Sequence, residues 1–126
     1  MAILWISGNS GSGKTTLAKA LAGDHNEAAV TILDGDVIRN AEDNKDFSEE
    51  GRYKHCLKVA EEAKRLSFDG HTVIVAVIAP YKKLRESIQE ICGCTFIYLP
   101  GGKEPDKKYP YEWPSDKAIT AFRLYI

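Results

Sequence analysis

The sequence predicts an α/β domain in three layers, a central parallel sheet covered by helices on both faces. Two observations carry this reading. Short apolar runs rich in β-branched residues alternate with longer stretches whose apolar residues recur at helical spacing. Glycine, aspartate and proline cluster just after the apolar runs, at the strand ends where such sheets hold ligands. The chain has 126 residues, enough for one hydrophobic core but not two, so a single domain over residues 1–126 is expected.

Ile3 to Ser7 reads as the first strand. Lys14 to Ala22 follows as a short helix with Leu17, Ala18 and Leu21 on one face and Gly23 as its stop. Val30 to Leu33 is a second strand ending in Asp34-Gly35-Asp36. Ser48 is placed to cap a long helix running to about Phe68, with Glu49 and Glu50 suited to its positive end. Tyr53, Leu57, Ala60, Ala63 and Leu66 or Ser67 form its expected buried stripe. His71 to Ala79 is the longest apolar run and reads as a central parallel strand. Pro80 opens a helix with Leu84, Ile88 and Ile91 inward and Gly93 as a stop, and Thr95 to Leu99 is a fourth strand. Pro100 to Pro114 reads as loop, Ser115 as the cap of a last short helix or turn, and Phe122 to Ile126 as a terminal strand.

Composition excludes several functions. Lys and Arg number 17 against 18 Asp and Glu, a formal net charge of −1. A general nucleic-acid or membrane-surface binder is usually basic. Met1 to Ile6 has no basic start and is too short to be a signal peptide or a membrane span, so a cytoplasmic protein is expected. The three cysteines, Cys56, Cys92 and Cys94, form neither a disulfide framework nor a zinc half-site and read as structural or incidental.

Gly8-Asn9-Ser10-Gly11-Ser12-Gly13-Lys14-Thr15 fits G-x-x-x-x-G-K-[ST] at every fixed position, between a strand and a helix. Bare glycine backbone lets amide N–H groups converge on phosphate, and the helix amino end adds positive charge. Gly8 through Thr16 are therefore the nucleotide-binding candidates. Lys14 is placed for the β- and γ-phosphates, and the Thr15 hydroxyl for magnesium. The motif by itself reads as binding of a nucleoside triphosphate.

A phosphate cradle does not name an acceptor. Asp34 and Asp36 supply two carboxylates at a strand end beside the cradle, one for the magnesium shell and one to orient an acceptor hydroxyl. A carboxylate is a weak base at neutral pH, so the pair positions more than it deprotonates. The competing reading is a tight turn with solvated aspartates. Arg39 and Arg52 suit an anionic acceptor by bidentate bonding, though for either one alone a solvated surface arginine is the favoured reading. Phe47 either stacks on a base or packs. Taken alone, His55 and His71 read as structural.

At this point the string resembles adenylylsulfate kinase. The resemblance rests on Ile3 to Gly8 leading into the cradle, Leu33-Asp34-Gly35-Asp36-Val37-Ile38-Arg39, Phe47-Ser48-Glu49-Glu50 with Arg52, Val73 to Tyr81, and Tyr109 to Pro114. It implies a P-loop kinase fold with the strand order 2-3-1-4 and room for a fifth edge strand, using ATP and Mg²⁺, and transfer of the ATP γ-phosphoryl group to the 3′-hydroxyl of adenylylsulfate. It implies that Asp34 and Asp36 serve magnesium and acceptor, that Arg39 and Arg52 bind the acceptor's anionic groups, and that Phe47 packs against its adenine. On the same ground His55, Ile78 and Tyr81 join the acceptor site.

Departures from the family pattern are specific. Gly51 stands where the family has Asp, His55 where it has an acceptor-touching Asn, and Ala79 where it has Ser. After Leu99 the arginine-containing helix and lysine-rich lid are mostly missing. A lid excludes water and brings cations to the transferring group. Its place falls to Lys103, Lys107 or Lys108, or to a second subunit in a homodimer, or catalysis is weak; for the lysines themselves a solvated loop is the favoured reading. Two alternatives stay open: a kinase of another hydroxyl on a nucleotide, sugar or modified base, and a nucleotide-binding module with little turnover.

Overall fold

A computed structural model describes residues 3–23, 29–102 and 111–114. Four strands, β1 (Ile3–Ser7), β2 (Val30–Asp34), β3 (Thr72–Ala76) and β4 (Thr95–Tyr98), form one parallel sheet in the order β2-β3-β1-β4. Helices α1 (Lys14–Gly23), α2 (Gly35–Glu42), α3 (Glu49–Phe68) and α4 (Lys82–Cys92) connect them.

The two-residue period of the strands divides the core. Trp5, Val73 and Val75 face one side and pack with Cys56, Val59, Ala60 and Ala63 of α3 and Leu84 and Ile88 of α4. Ile6, Ile74 and Ala76 face the other and pack with Leu17, Ala18 and Leu21. The Trp5 indole N–H, which burial would otherwise orphan, donates to the Val77 carbonyl at 3.0 Å. Register then sets the functional edge. Ile6 pairs with Ala76, Asp34 with Ala76, and Ser7 with Tyr98. The chain therefore leaves β1, β2, β3 and β4 along one rim, the carboxyl edge.

Several boundaries differ from the sequence reading. The Asp34-Gly35-Asp36 segment opens a helix, α2, rather than a turn. Asp34 Oδ1 accepts from the Asp36 and Val37 amides at 2.9 and 3.3 Å, satisfying orphan donors at the helix start. Asp43, in the left-handed region at φ 52°, ends the helix. The apolar run after His71 is strand only from Thr72 to Ala76, and α4 begins at Lys82, two residues beyond Pro80. Ser48 caps α3 as expected, its Oγ accepting from the Gly51 amide at 3.1 Å. The buried stripe of α3 is wider than the periodicity suggested, adding Arg52, His55, Cys56 and Val59, because the helix packs against both the sheet and α4. Among the described residues no helix is long and apolar enough to cross a membrane. The readings at Ser115 and Phe122 to Ile126 lie outside the described residues.

Candidate active site

The cradle takes its shape from close backbone contacts. A Cβ on Gly8 would stand 2.5 Å from the Leu99 carbonyl oxygen, because β4 runs alongside β1 there. Gly13 has φ +99°, which side-chain-bearing residues rarely adopt. Lys14 Nζ reaches back along the loop and donates to the Gly8 and Asn9 carbonyls at 2.9 Å each. Burial lowers the Lys14 pKa, opposed by Asp36 and Asp34. The ammonium is thus partly desolvated and held over the loop.

Thr15 donates its hydroxyl proton to Asp34 Oδ2 at 2.7 Å. Asp34 Oδ1 is at the same time the α2 cap, so both carboxylate oxygens are fixed. The pair joins the end of β2 to the start of α1 with two hard oxygen donors side by side.

A cavity of about 610 Å³ opens along this rim. It is lined by Ser10, Gly11, Gly13, Lys14, Thr15 and Thr16 of the cradle and by Asp34 and Asp36. Arg39, Phe47, Arg52, His55 and Ile78 line it too, with Gly35, Cys56, Ala76 and Val77. Parallel pairing of β1, β2 and β3 is what brings these distant segments together. Of the expected nucleotide residues, Gly8, Asn9 and Ser12 do not line the cavity but support its wall. Tyr81 is also set apart from it. Its ring is buried and stacks on Tyr53, with centroids 5.5 Å apart. His71 precedes β3 at the opposite edge of the sheet, its Nδ1 bonded to the Thr31 hydroxyl at 2.8 Å.

Arg39 and Arg52 are both buried, at 8% exposure. Arg39 Nη1 donates to Asn44 Oδ1 at 3.2 Å and to the Asp46 carbonyl at 3.1 Å. Its guanidinium lies 4.4 Å from the centroid of the half-exposed Phe47 ring. Burial is the main force against the Arg39 charge, and neighbouring Arg52 adds to it. An anion entering the cavity relieves both. Gly51, one of the departures, has a local reason. A side chain there would collide with Asp46, whose carboxylate accepts from the Ser48 amide and hydroxyl at 3.1 and 2.6 Å.

His55 is 5% exposed, and neither ring nitrogen has a hydrogen-bond partner among the described residues. Burial first, then Arg39, pull its pKa down to about 4 against the opposing charge of Asp36. The imidazole is therefore neutral at pH 7, with one donor and one acceptor available to a ligand. Adjacent Cys56 is inert. Its thiol is buried, donates to the Ile78 carbonyl at 3.2 Å, and is pushed up to about 12 by burial.

Two features escaped sequence reasoning. The Gly101-Gly102 turn presses on the cradle. A Cβ on Gly102 would lie 2.5 Å from the Ser10 carbonyl oxygen and 2.9 Å from the Ser12 amide nitrogen. A paired glycine after a strand was the available signal. Second, Tyr111 and Glu112 return to the rim. Tyr111 Oη bonds to Ser7 Oγ, and Glu112 Oε1 accepts from the Lys82 amide at 2.7 Å at the start of α4. Spacing alone carries no sign of that return. Lys103, Lys107 and Lys108 lie outside the described residues.

Residues 1–100 match the family model for adenylylsulphate kinase. A protein of Archaeoglobus fulgidus described as a probable adenylyl-sulfate kinase is 47% identical over 87 residues, covering 67% of this chain and 56% of the relative. Another from Pyrococcus abyssi, described in the same words, is 42% identical over 103 residues, covering 77% and 59%. This chain thus spans about half the length of the curated relatives it matches. The Mycobacterium tuberculosis APS kinase CysC in complex with AMPPNP and APS superposes with a TM-score of 0.73 at 23% identity, over 91% of this chain and 84% of that one, a likeness of fold. The P-loop, the aspartates of β2 and α2 and the matched span agree, and this chain belongs to the adenylylsulphate kinase family.

Proposed function

We propose that this chain carries out ATP-dependent phosphoryl transfer, moving the γ-phosphoryl group of ATP to the 3′-hydroxyl of adenylylsulfate. The observation that carries the reading is one cavity walled by the Lys14 cradle, by Asp34 and Asp36, and by the two buried arginines. Such a cavity suits two anionic ligands whose reacting groups must meet.

The cradle amides and Lys14 hold the triphosphate, and Lys14 exchanges its two loop carbonyls for phosphate oxygens. Arg39 and Arg52 hold the acceptor's anionic group, and Phe47 offers a face for its base. Asp36 lines the cavity beside the cradle and orients the attacking hydroxyl. Thr15 and Asp34 fit magnesium, because both are hard oxygen donors held 2.7 Å apart. Among the described residues no three His, Cys, Asp or Glu side chains cluster around a metal position, so phosphate oxygens and water would complete the shell. The ion, when bound, offsets phosphate charge. Catalysis is positioning and charge stabilisation without a covalent enzyme intermediate.

One observation favours a second acceptor, a different hydroxyl compound. His55 presents a neutral ring in the acceptor wall with no partner among the described residues, so the groups it accepts need not be those of adenylylsulfate. Purified protein with magnesium-ATP and adenylylsulfate should give the 3′-phosphorylated product by mass spectrometry. Lys14→Ala should lose at least about a hundredfold in rate through the missing charge. Absence of product, with ATP still bound, moves the reading to the other acceptor or to a binding module. Unchanged rates in Lys14→Ala would remove the site altogether.

A further inference from the structure

Ser7 is the last residue of β1, directly before the cradle, and it is fully buried. Its hydroxyl has one proton and two lone pairs, and the structure uses them all. It donates to the Ala79 carbonyl at 3.4 Å, accepts from the Ala79 amide at 3.2 Å and bonds to Tyr111 Oη. Ala79 follows Val77 and Ile78, the cavity wall on the acceptor side. The same carbonyl of Ala79 accepts from Arg85 Nη1 at 2.7 Å, and Arg85 Nη2 donates to the Glu112 carbonyl. The Glu112 amide donates to the Pro80 carbonyl at 2.7 Å. Tyr111 is 6% exposed, with Arg85 5.4 Å from its ring centroid and the Trp113 ring 4.2 Å away. Burial pushes its hydroxyl up to about 12, so it stays protonated; with the Ser7 proton given to the Ala79 carbonyl, the Tyr111 O–H is left as the donor of the bond between them.

These contacts have one geometric effect. The loop that would hold the phosphoryl donor leaves β1 at Ser7. The wall that would hold the acceptor ends at Ile78, directly before Ala79. Direct pairing of β1 with β3 stops at Ile6 and Ala76. Beyond it the Ser7 hydroxyl ties the end of β1 to Ala79, and Tyr111 completes the tie.

We infer that Tyr111 is a positioning residue, whose hydroxyl, through Ser7 and Ala79, fixes the phosphate loop relative to the acceptor wall. This rests on the phosphotransfer reading for its kinetic consequence but not for its structural one. In-line transfer is sensitive to displacements of about 1 Å, which cost on the order of a hundredfold in rate. Tyr111 does not line the cavity, so its loss acts on how loop and wall are set relative to each other rather than on the binding of either ligand.

The test uses the full chain as parent, Tyr111→Phe, Ser7→Ala and the double variant. Amide hydrogen exchange is read first, because it needs no turnover. In each single variant, exchange in residues 8–13 and 77–79 should rise about tenfold or more, while Val59 to Ala63 of α3 stay as in the parent. The double variant should match Ser7→Ala, because Tyr111 acts only through the Ser7 hydroxyl, and Tyr111→Phe, which leaves the direct Ser7–Ala79 bonds in place, should rise less than Ser7→Ala. With adenylylsulfate and magnesium-ATP, kcat should fall about ten- to a hundredfold in Tyr111→Phe, with both KM values within about threefold. No rise in exchange, or a uniform rise that includes α3, overturns the inference. Loosened exchange with unchanged kcat overturns the positioning role. A parent without activity on adenylylsulfate overturns the proposed function, and exchange still decides the connection between loop and wall.

Discussion

Replacing His55 with asparagine should flatten the acid side of the protein's stability profile. In the folded chain the imidazole is enclosed, has no partner among the described residues, and is held at a pKa of about 4 against an ordinary 6.5. Burial is the main cause, followed by the Arg39 guanidinium, with Asp36 opposing. The unfolded chain takes up its proton first as pH falls, so stability is complete above about pH 6.5 and is lost toward pH 4. The full displacement converts to about 3 kcal/mol. The ring faces an open cavity on one side, and solvent screening there reduces this to about 1–2 kcal/mol. The substituted asparagine carries a polar amide that does not titrate. Urea unfolding of the ligand-free protein between about pH 7.5 and about pH 4.5 measures the difference. The parent should lose about 1–2 kcal/mol more than His55→Asn over that interval, since all other titrating groups are common to both. Equal slopes would mean that water or a rearranged neighbour solvates the ring, and would refute its enclosure.

Two further outcomes follow from the cavity. Arg39→Lys keeps the charge but loses the planar fork, so acceptor KM should rise about tenfold while ATP KM stays within about twofold in initial-rate kinetics; equal changes in both would contradict the assignment of Arg39 to the acceptor. Gly102→Ala adds a Cβ 2.5 Å from the Ser10 carbonyl oxygen at φ +74°, which should cost about 1–3 kcal/mol in folded stability or displaced backbone. Its ATP affinity by calorimetry should fall with it, and parental affinity and stability together would show that the turn does not bear on the cradle.

Much of this protein was legible without coordinates. The cradle motif and the four strands follow from local pattern, because glycine spacing and short apolar runs are properties of neighbouring residues, whereas the strand order came with the P-loop kinase reading. The Ser48 cap also follows from local pattern. The aspartates were readable as chemistry but not as structure. Asp34 caps α2, and the Asp-Gly pair that marks turns concealed a helix whose start depends on one carboxylate accepting two amides. Arg39 and Arg52 each read as surface charge until α2 and α3 were packed beside the rim and both proved buried.

What the sequence by itself determined was the nucleotide cradle and the layered parallel sheet, since both are encoded in short contiguous runs. Only the tertiary structure decided which residues share the cavity. It set Tyr81 apart in a stack with Tyr53, turned His55 into an enclosed neutral ring, and brought Gly102 against the middle of the cradle and Tyr111 against Ser7 just before it. The physical reason is that burial and hydrogen-bond partnership across tens of residues depend on strand register and helix packing, and neither is written in the spacing of any one segment.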